Sequence, residues 1–421
     1  MDDKISSAPQ PLSRIFGYDI ARTLTLIGMV IISFWELGGE GEDSPAWLNF
    51  FVKIIMGRAA VAFVMLAGVG LHLLTQGALM SNDPKRLAES RHQLMKRALF
   101  LFIIGILNSL IWPWDILHFY AVYFMITAYL LCASNRLVWT LILLAIFIFA
   151  DFMLLTQFDR GMEWESIRPQ DLWHLSGVFY HLMFGGIYPV FPWIGFLLIG
   201  LWIGRRGLIH RGFRNKMILA GIVAVLIAEG LSWAYFNVLA TNWRLLKFMG
   251  LMPWFTIDPW EPMPLFFLSG AGSAIVAISL CMIFTEKFST ARWLPPLVAA
   301  GQSTLTLYVA HTLVGTVAIL TMDYFDLDYP LFAVWGTLVY FAAAAVFCYQ
   351  WNRRYQRGPL ELLMRRFMAR PVKLTFSGLD PFDFNKHKRG SKGSGFRPLS
   401  GSLPESEEYS GHAPCAERPF P

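Results

Sequence analysis

Residues 14–35 read RIFGYDIARTLTLIGMVIISFW, and this stretch decides the fold class. It is apolar apart from Asp19 and Arg22, and its length matches the about twenty residues a helix needs to cross a bilayer. Similar runs recur through most of the chain. They predict ten spans near residues 15–35, 54–76, 98–112, 116–134, 137–156, 190–204, 217–239, 265–284, 297–320 and 331–350. A membrane β-barrel would alternate apolar and polar residues, and these runs do not. The expectation is an all-α integral membrane protein. Residues 172–186 are apolar but short and are followed by Pro189 and Pro192, which suits an interfacial or re-entrant helix on the outer side.

Composition agrees. Hydrophobic residues make up 55% and charged residues 15%, against about a quarter charged in soluble domains. Trp35, Trp47, Trp112, Trp139 and Trp254 stand at the edges of apolar runs, where an aromatic belt places them. The net charge of +6 does not mark a nucleic-acid binder, because the basic residues sit in gaps between spans.

Those gaps alternate in charge. One side collects Lys85, Arg86, Arg91, Lys96 and Arg97, then Arg136, Arg205, Arg206, Lys287, Arg353 and Arg354. The other collects Glu36, Glu40, Asp43, Asp159, Asp258, Glu261 and Asp326. Positive residues mark the cytoplasmic side, so both termini are expected there. The domain reading is a cytoplasmic segment 1–14, a transmembrane domain 15–370, and a disordered cytoplasmic tail 371–421 rich in Gly, Ser and charge. The first apolar run is long enough to be retained as a span rather than cleaved. Cys132, Cys281, Cys348 and Cys415 are expected as reduced thiols.

Several polar residues lie inside the spans, where a lone charge costs roughly 2.5–3.5 kcal/mol. Asp19 and Arg22 share one helical face. They either pair to pin the first helix, or Arg22 holds an anion entering from the cytoplasm beside Lys96 and Arg97. Arg58 is placed either to snorkel outward or to take a buried role. Asp115 and His118, three apart after the Trp112-Pro113-Trp114 connection, suit an oriented general base. The same spacing suits a helix N-cap with His118 in the aqueous rim. His311 falls mid-span in GQSTLTLYVAHT, either as a base facing an internal cavity or as a buried helix contact. His174 and His181 share a face of the short outer helix, but without a third partner no metal site is assigned. Gly200 and Gly204, and Gly270 with Ala274, are spaced for close helix contact.

Four segments resemble the YeiB-like family of bacterial multi-spanning membrane proteins. They are RIFGYDIARTLTLIGMVIISF, FPWIGFLLIGLWIGR, GQSTLTLYVAHT and RRYQRGPLELLMRRF, with Thr23 where the family commonly has Gly and His311 where Gln is frequent. That family is similar to a wider group of transmembrane acyltransferases including heparan-α-glucosaminide N-acetyltransferase. The resemblance implies acyl (acetyl) transfer from cytoplasmic acyl-CoA to an acceptor, such as an envelope sugar, across a bacterial inner membrane. In that enzyme a His-Ala-x-Trp loop supplies a catalytic histidine. Here Ala46-Trp47 remain but Pro45 stands at that position, so no residue carries over. GQSTLTLYVAHT is also similar to the last span of another membrane acyltransferase family, whose pattern ends Tyr-x-x-His.

The expected site is then His311, or His118 held by Asp115, as base, with Arg22, Asp19, Lys96 and Arg97 at the acyl-CoA phosphates. The lipid bilayer, acyl-CoA and the acceptor are the expected partners, and a homodimer is left open. Two other readings stand beside it. One is a transporter whose path the same polar residues line, with the broken helix 172–192 as a gate. The other is a non-catalytic scaffold for envelope machinery.

Overall fold

The apolar runs fold as helices, and no strand occurs among the described residues. The computed structural model describes residues 16–37, 45–81, 83–156, 174–239, 252–325, 331–355 and 357–369. The expected tail, 371–421, lies outside them. In chain order the helices are α1 (Phe16–Leu37), α2 (Ala46–Ile55), α3 (Arg58–Met80), α4 (Pro84–Ser109), α5 (Leu117–Tyr129) and α6 (Asn135–Thr156). They continue with α7 (Leu175–Tyr180), α8 (Val190–Arg206), α9 (Arg211–Ala234), α10 (Pro264–Lys287), α11 (Leu294–Gln302), α12 (Thr304–Phe325), α13 (Phe332–Tyr355) and α14 (Pro359–Ala369). Single π-helical turns follow α7 (His181–Gly185) and α9 (Tyr235–Leu239).

Among the described residues, seven helical runs are long and apolar enough to cross a membrane, or eight if the bent pair Ser176–Gly185 with Val190–Arg206 is one span. The chain is a multi-pass membrane protein. The shortfall from ten falls on the third and fourth expected spans. α5 has 13 residues, below the about twenty that a span takes. α4 has 26, but Lys85, Arg86, Glu89, Arg91, Lys96 and Arg97 stand in its stretch from Pro84 to Arg97. The supposed basic loop is therefore a helix. Asp83 caps it by accepting from the Lys85 N–H at 2.9 Å, with Pro84 at the first helical position. α4 and α5 pack on each other as a hairpin.

Three further breaks depart from the expected spans. Residues 46–53, expected as loop, belong to α2, which Gly57 at φ 70° separates from α3. The ninth expected span divides at Ser303 into α11 and α12. The short outer helix bends by 53° into α8, with Pro189 starting the new direction as its residues suggested.

Glycines set the closest crossings. A Cβ on Gly200 would lie 2.0 Å from the Met65 carbonyl oxygen, and one on Gly68 would lie 2.0 Å from that of Leu197. α3 and α8 thus meet backbone to backbone, as close small-residue packing allows. α1 sits centrally, touching α3, α10, α11, α12 and α13. α9 lies at the periphery and exposes Leu219, Leu226, Leu231 and Trp233, an apolar face suited to lipid.

Ionic groups lock the helices. Arg205 donates to the carbonyls of Leu130, Leu131 and Ala133, satisfying the C-terminal end of α5. Arg214 grips Glu286 at 2.5 and 3.0 Å, joining α9 to α10. Arg58 does not snorkel outward. It pairs with Glu229 of α9 and reaches the buried Ser269 hydroxyl of α10 at 3.1 Å, because these partners supply inside the protein what headgroups would supply outside. Cys281 and Cys348 are free and buried.

The break at Ser303 joins two of the sequence signatures. It leaves the first N–H groups of α12 without helical partners. The Glu361 carboxylate, from the RGPLE segment, accepts from the Leu305 N–H at 2.8 Å, the Thr306 N–H at 3.2 Å and the Thr306 hydroxyl at 2.5 Å. That hydroxyl accepts in turn from the Leu360 N–H at 3.0 Å. Glu361→Ala should cost about 1–2 kcal/mol, as loss of a strong helix cap does, read as a lower unfolding midpoint in detergent. An unchanged midpoint would show that α14 does not brace α12.

Candidate active site

Two polar clusters lie at different depths. The first surrounds the start of α1. Arg22 Nη1 meets Asp19 Oδ1 at 3.1 Å, as the i, i+3 spacing requires. Asp19 is buried, while the Arg22 side chain keeps 27% of its surface. The Arg22 guanidinium crosses α3 at Gly70, where a Cβ would stand 3.0 Å from Nη2. Gly301 of α11 lies flush on α1, since its Cβ would fall 1.9 Å from the Asp19 carbonyl oxygen. Arg97 sits over the Phe124 ring at 5.7 Å and feels the charges of Arg22, Arg357 and Glu361. Lys96 departs from its expected place. It is buried, and its Nζ donates to the Met368 carbonyl at 3.2 Å, closing the end of α14.

The second cluster lies toward the other end of α1. Asp115 and His118 are both buried, which excludes the aqueous-rim placement. Asp115 Oδ2 lies 2.9 Å from His118 Nδ1 and accepts from the His118 N–H at 3.2 Å. Its Oδ1 accepts from Asn108 Nδ2 at 2.8 Å, and Asn108 Oδ1 accepts from the Thr312 hydroxyl at 2.8 Å. The chain α5–α4–α12 is thus tied by one buried polar network. The Asn108 amide satisfies both neighbours only in this orientation, so the network fixes where each helix sits.

His118 is walled in. Phe119 lies 4.1 Å from it and His181 stacks on it at 5.9 Å, between ring centroids. His181 therefore joins His118 rather than His174, which is exposed. No group of three or more His, Cys, Asp or Glu side chains suited to a metal occurs among the described residues.

His311 is buried in α12, and its Nδ1 contacts the Tyr308 carbonyl oxygen one turn back. A carbonyl only accepts, so Nδ1 carries the hydrogen and Nε2 the lone pair. This ring lines a cleft of about 60 Å³ together with Met29, Ser33, Glu36, Trp112, Trp114, Tyr188, Trp193, Trp260 and Tyr308. Trp112 lies 6.1 Å from the imidazole and 5.3 Å from Trp114, both edge to face. The Tyr308 hydroxyl accepts from the Ile116 N–H at 3.2 Å. The arrangement is an imidazole base at the wall of an aromatic cleft with one carboxylate.

Arg22 does not line that cleft. Ser33 is eleven positions further along α1, about 16 Å at helical rise. Of the expected site residues, the fold thus gathers Asp19, Arg22 and Arg97 at one depth and Asp115, His118 and His311 at another. Reading the sequence missed Trp193, Trp260, Glu36 and Thr312. They come from separate helices and loops, and only the interfacial placement of the aromatic residues gave a signal.

A family model described as heparan-alpha-glucosaminide N-acetyltransferase, catalytic, matches residues 14–230. A second, described as protein of unknown function (DUF418), matches residues 203–371. No curated protein and no solved structure matches the chain. The first match covers just over half of the sequence and contains Asp19, Arg22, Arg97, Asp115 and His118; the second contains His311 and Glu361. The chain belongs to the YeiB-like family of multi-pass membrane proteins, related to the transmembrane acyltransferases of the heparan-α-glucosaminide N-acetyltransferase type.

Proposed function

We propose that this protein transfers an acyl group from acyl-CoA, bound at the Arg22 end, to an acceptor held in the aromatic cleft. The observation that carries the reading is His311. Its tautomer leaves Nε2 basic, and it stands at the wall of the cleft. The Arg22 end carries the basic gaps, so it faces the cytoplasm and its acyl-CoA pool. Arg22 and Arg97 hold the donor's phosphates, for which guanidinium is the fitting group, and Asp19 keeps Arg22 in place. Lys96 acts at one remove by anchoring α14.

The acceptor's hydroxyl or amine attacks the acyl carbon while His311 Nε2 takes its proton. The acyl carbon leaves sulfur for oxygen or nitrogen, and CoA departs as a thiolate. Trp112, Trp114, Trp193 and Trp260 offer flat apolar faces, with Glu36 as a polar contact, and this suits an envelope sugar. Asp115 and His118 hold α4, α5 and α12 in register through Asn108 and Thr312. A sugar acceptor follows the activity that names the matched family model.

The test supplies purified protein with labelled acetyl-CoA and a panel of amino sugars and hydroxyl acceptors. The expected result is acyl transfer, or slow acyl-CoA hydrolysis without acceptor. No label and no hydrolysis with any acceptor would sink the proposal. Solute flux in liposomes without acyl donor would favour transport, for which the 53° break before α8 offers a gate.

A further inference from the structure

Trp193 carries a polar group that the chemistry above leaves unused. It stands in the first turn of α8, lines the cleft with His311 and is 1% exposed. Its indole Nε1–H finds no hydrogen-bond partner among the described residues. A buried indole N–H usually has one, and a donor kept dry without one is destabilising unless something else uses it. The Tyr120 and Tyr235 hydroxyls are unpartnered too, but neither residue lines the cleft, so no ligand follows from them. Among the described residues, Trp193 alone combines the two properties.

The indole is held by other rings. Tyr188 stands edge to face at 4.9 Å, Phe196 at 5.4 Å, and Phe266 lies tilted at 6.5 Å, between ring centroids. A ring face receives an N–H only weakly, so none of the three replaces an oxygen. The cleft is what remains, and its volume of about 60 Å³ holds several waters or the polar groups of a small ligand. Its walls call for different atoms. His311 Nε2 offers a lone pair and takes a hydrogen, whereas Trp193 Nε1 offers a hydrogen and takes an oxygen lone pair.

We infer that Trp193 Nε1 donates to an oxygen beside the acceptor's reacting group. The cleft then selects a diol or amino alcohol, as a sugar ring presents, over an acceptor with one functional group. Which group reacts rests on the acyl-transfer reading above; recognition of the neighbouring oxygen does not need the acyl donor. The reacting hydroxyl or amine gives its hydrogen to His311 while the next oxygen along the ring receives one from Trp193. Two contacts of opposite sense hold the acceptor in one orientation. An analogue lacking the second oxygen leaves a buried donor unpaired, which is how such a site rejects it.

Replacing Trp193 by 3-benzothienylalanine tests it, because a ring sulfur takes the place of the N–H and the shape is kept. The probes are methyl glucoside, methyl glucosaminide and the monodeoxy analogues of each, with acetyl-CoA as donor. In the wild type, one deoxy analogue should lose about 10–100-fold in kcat/KM, the effect of one unpaired buried donor. The sulfur variant should lose that preference by turning over the parent sugar as slowly as the analogue, with KM for acetyl-CoA little changed. Its unfolding midpoint should hold or rise, since no bond inside the protein is lost. Trp193→Phe should lose the preference as well, with a lower midpoint from the space it empties. Equal discrimination by wild type and sulfur variant would overturn the inference and leave acyl transfer standing. If no acetyl group moves, calorimetry of the same sugars without donor decides. Binding that the sulfur variant loses would keep the inference while acyl transfer falls; binding that it retains, or none in the wild type, would overturn both.

Discussion

His311→Gln should lower acyl transfer by about 10²–10⁴-fold, the span covered by a positioned general base, with folding and donor binding preserved. Glutamine is close to histidine in reach, and its amide can still donate to the Tyr308 carbonyl that His311 Nδ1 contacts. What it lacks is a basic nitrogen. Because the Arg22 cluster lies well down α1 from the cleft, KM for acyl-CoA should stay near the wild-type value while kcat falls. Turnover with labelled acetyl-CoA checks this. Undiminished kcat would move the base elsewhere, with His118 next in line, since Asp115 already fixes its Nδ1 at 2.9 Å.

Gly200→Val carries the second large effect, and it falls on folding rather than chemistry. The first side-chain carbon would meet the Met65 carbonyl oxygen at 2.0 Å, with the Met65 carbonyl carbon and Cα both within 3 Å. These are backbone atoms of α3 and have no rotamer to yield. α3 and α8 must part, and a core this close-packed resists that. The expected cost is about 3 kcal/mol or more, at or above the top of the usual range for overpacking. Thermal unfolding and the yield of monodisperse protein measure it. Gly230→Ala of α9 is the control, since a Cβ there meets nothing within 4 Å. It should gain up to about 1 kcal/mol from helix propensity. Equal behaviour of the two variants would contradict the backbone-to-backbone contact.

These expectations also mark what could be read before the fold. Asp19–Arg22 and Asp115–His118 were legible because both partners sit one helical turn apart. The burial of Asp115 was not, because Asn108 is seven positions away and Thr312 reaches it across 204. The buried role of Arg58 was left open for the same reason. Its partner Glu229 is 171 residues distant, and a lone arginine near a span end looks like a snorkelling one. The break at Ser303 was invisible because residues 297–320 are apolar on both sides of it. Only the Glu361 carboxylate, from a separate signature, reveals why the chain can stop and restart there. Lys96 and Arg97 looked like loop because charge and helix are not exclusive. The apolar half of α4 was counted as a span and its charged half was not recognised as the same helix.

The shortness of α5 bears on how the protein is made. Thirteen residues of it cannot hold a place in hydrocarbon alone, and the Asn108 and Asp115 groups at the hairpin tip would be costly there unpaired. Bonded to each other at 2.8 Å, they present a satisfied tip. Biogenesis therefore has to deliver α4 and α5 to the lipid together, after synthesis has passed residue 129, with the tip already closed and earlier helices waiting to shelter it.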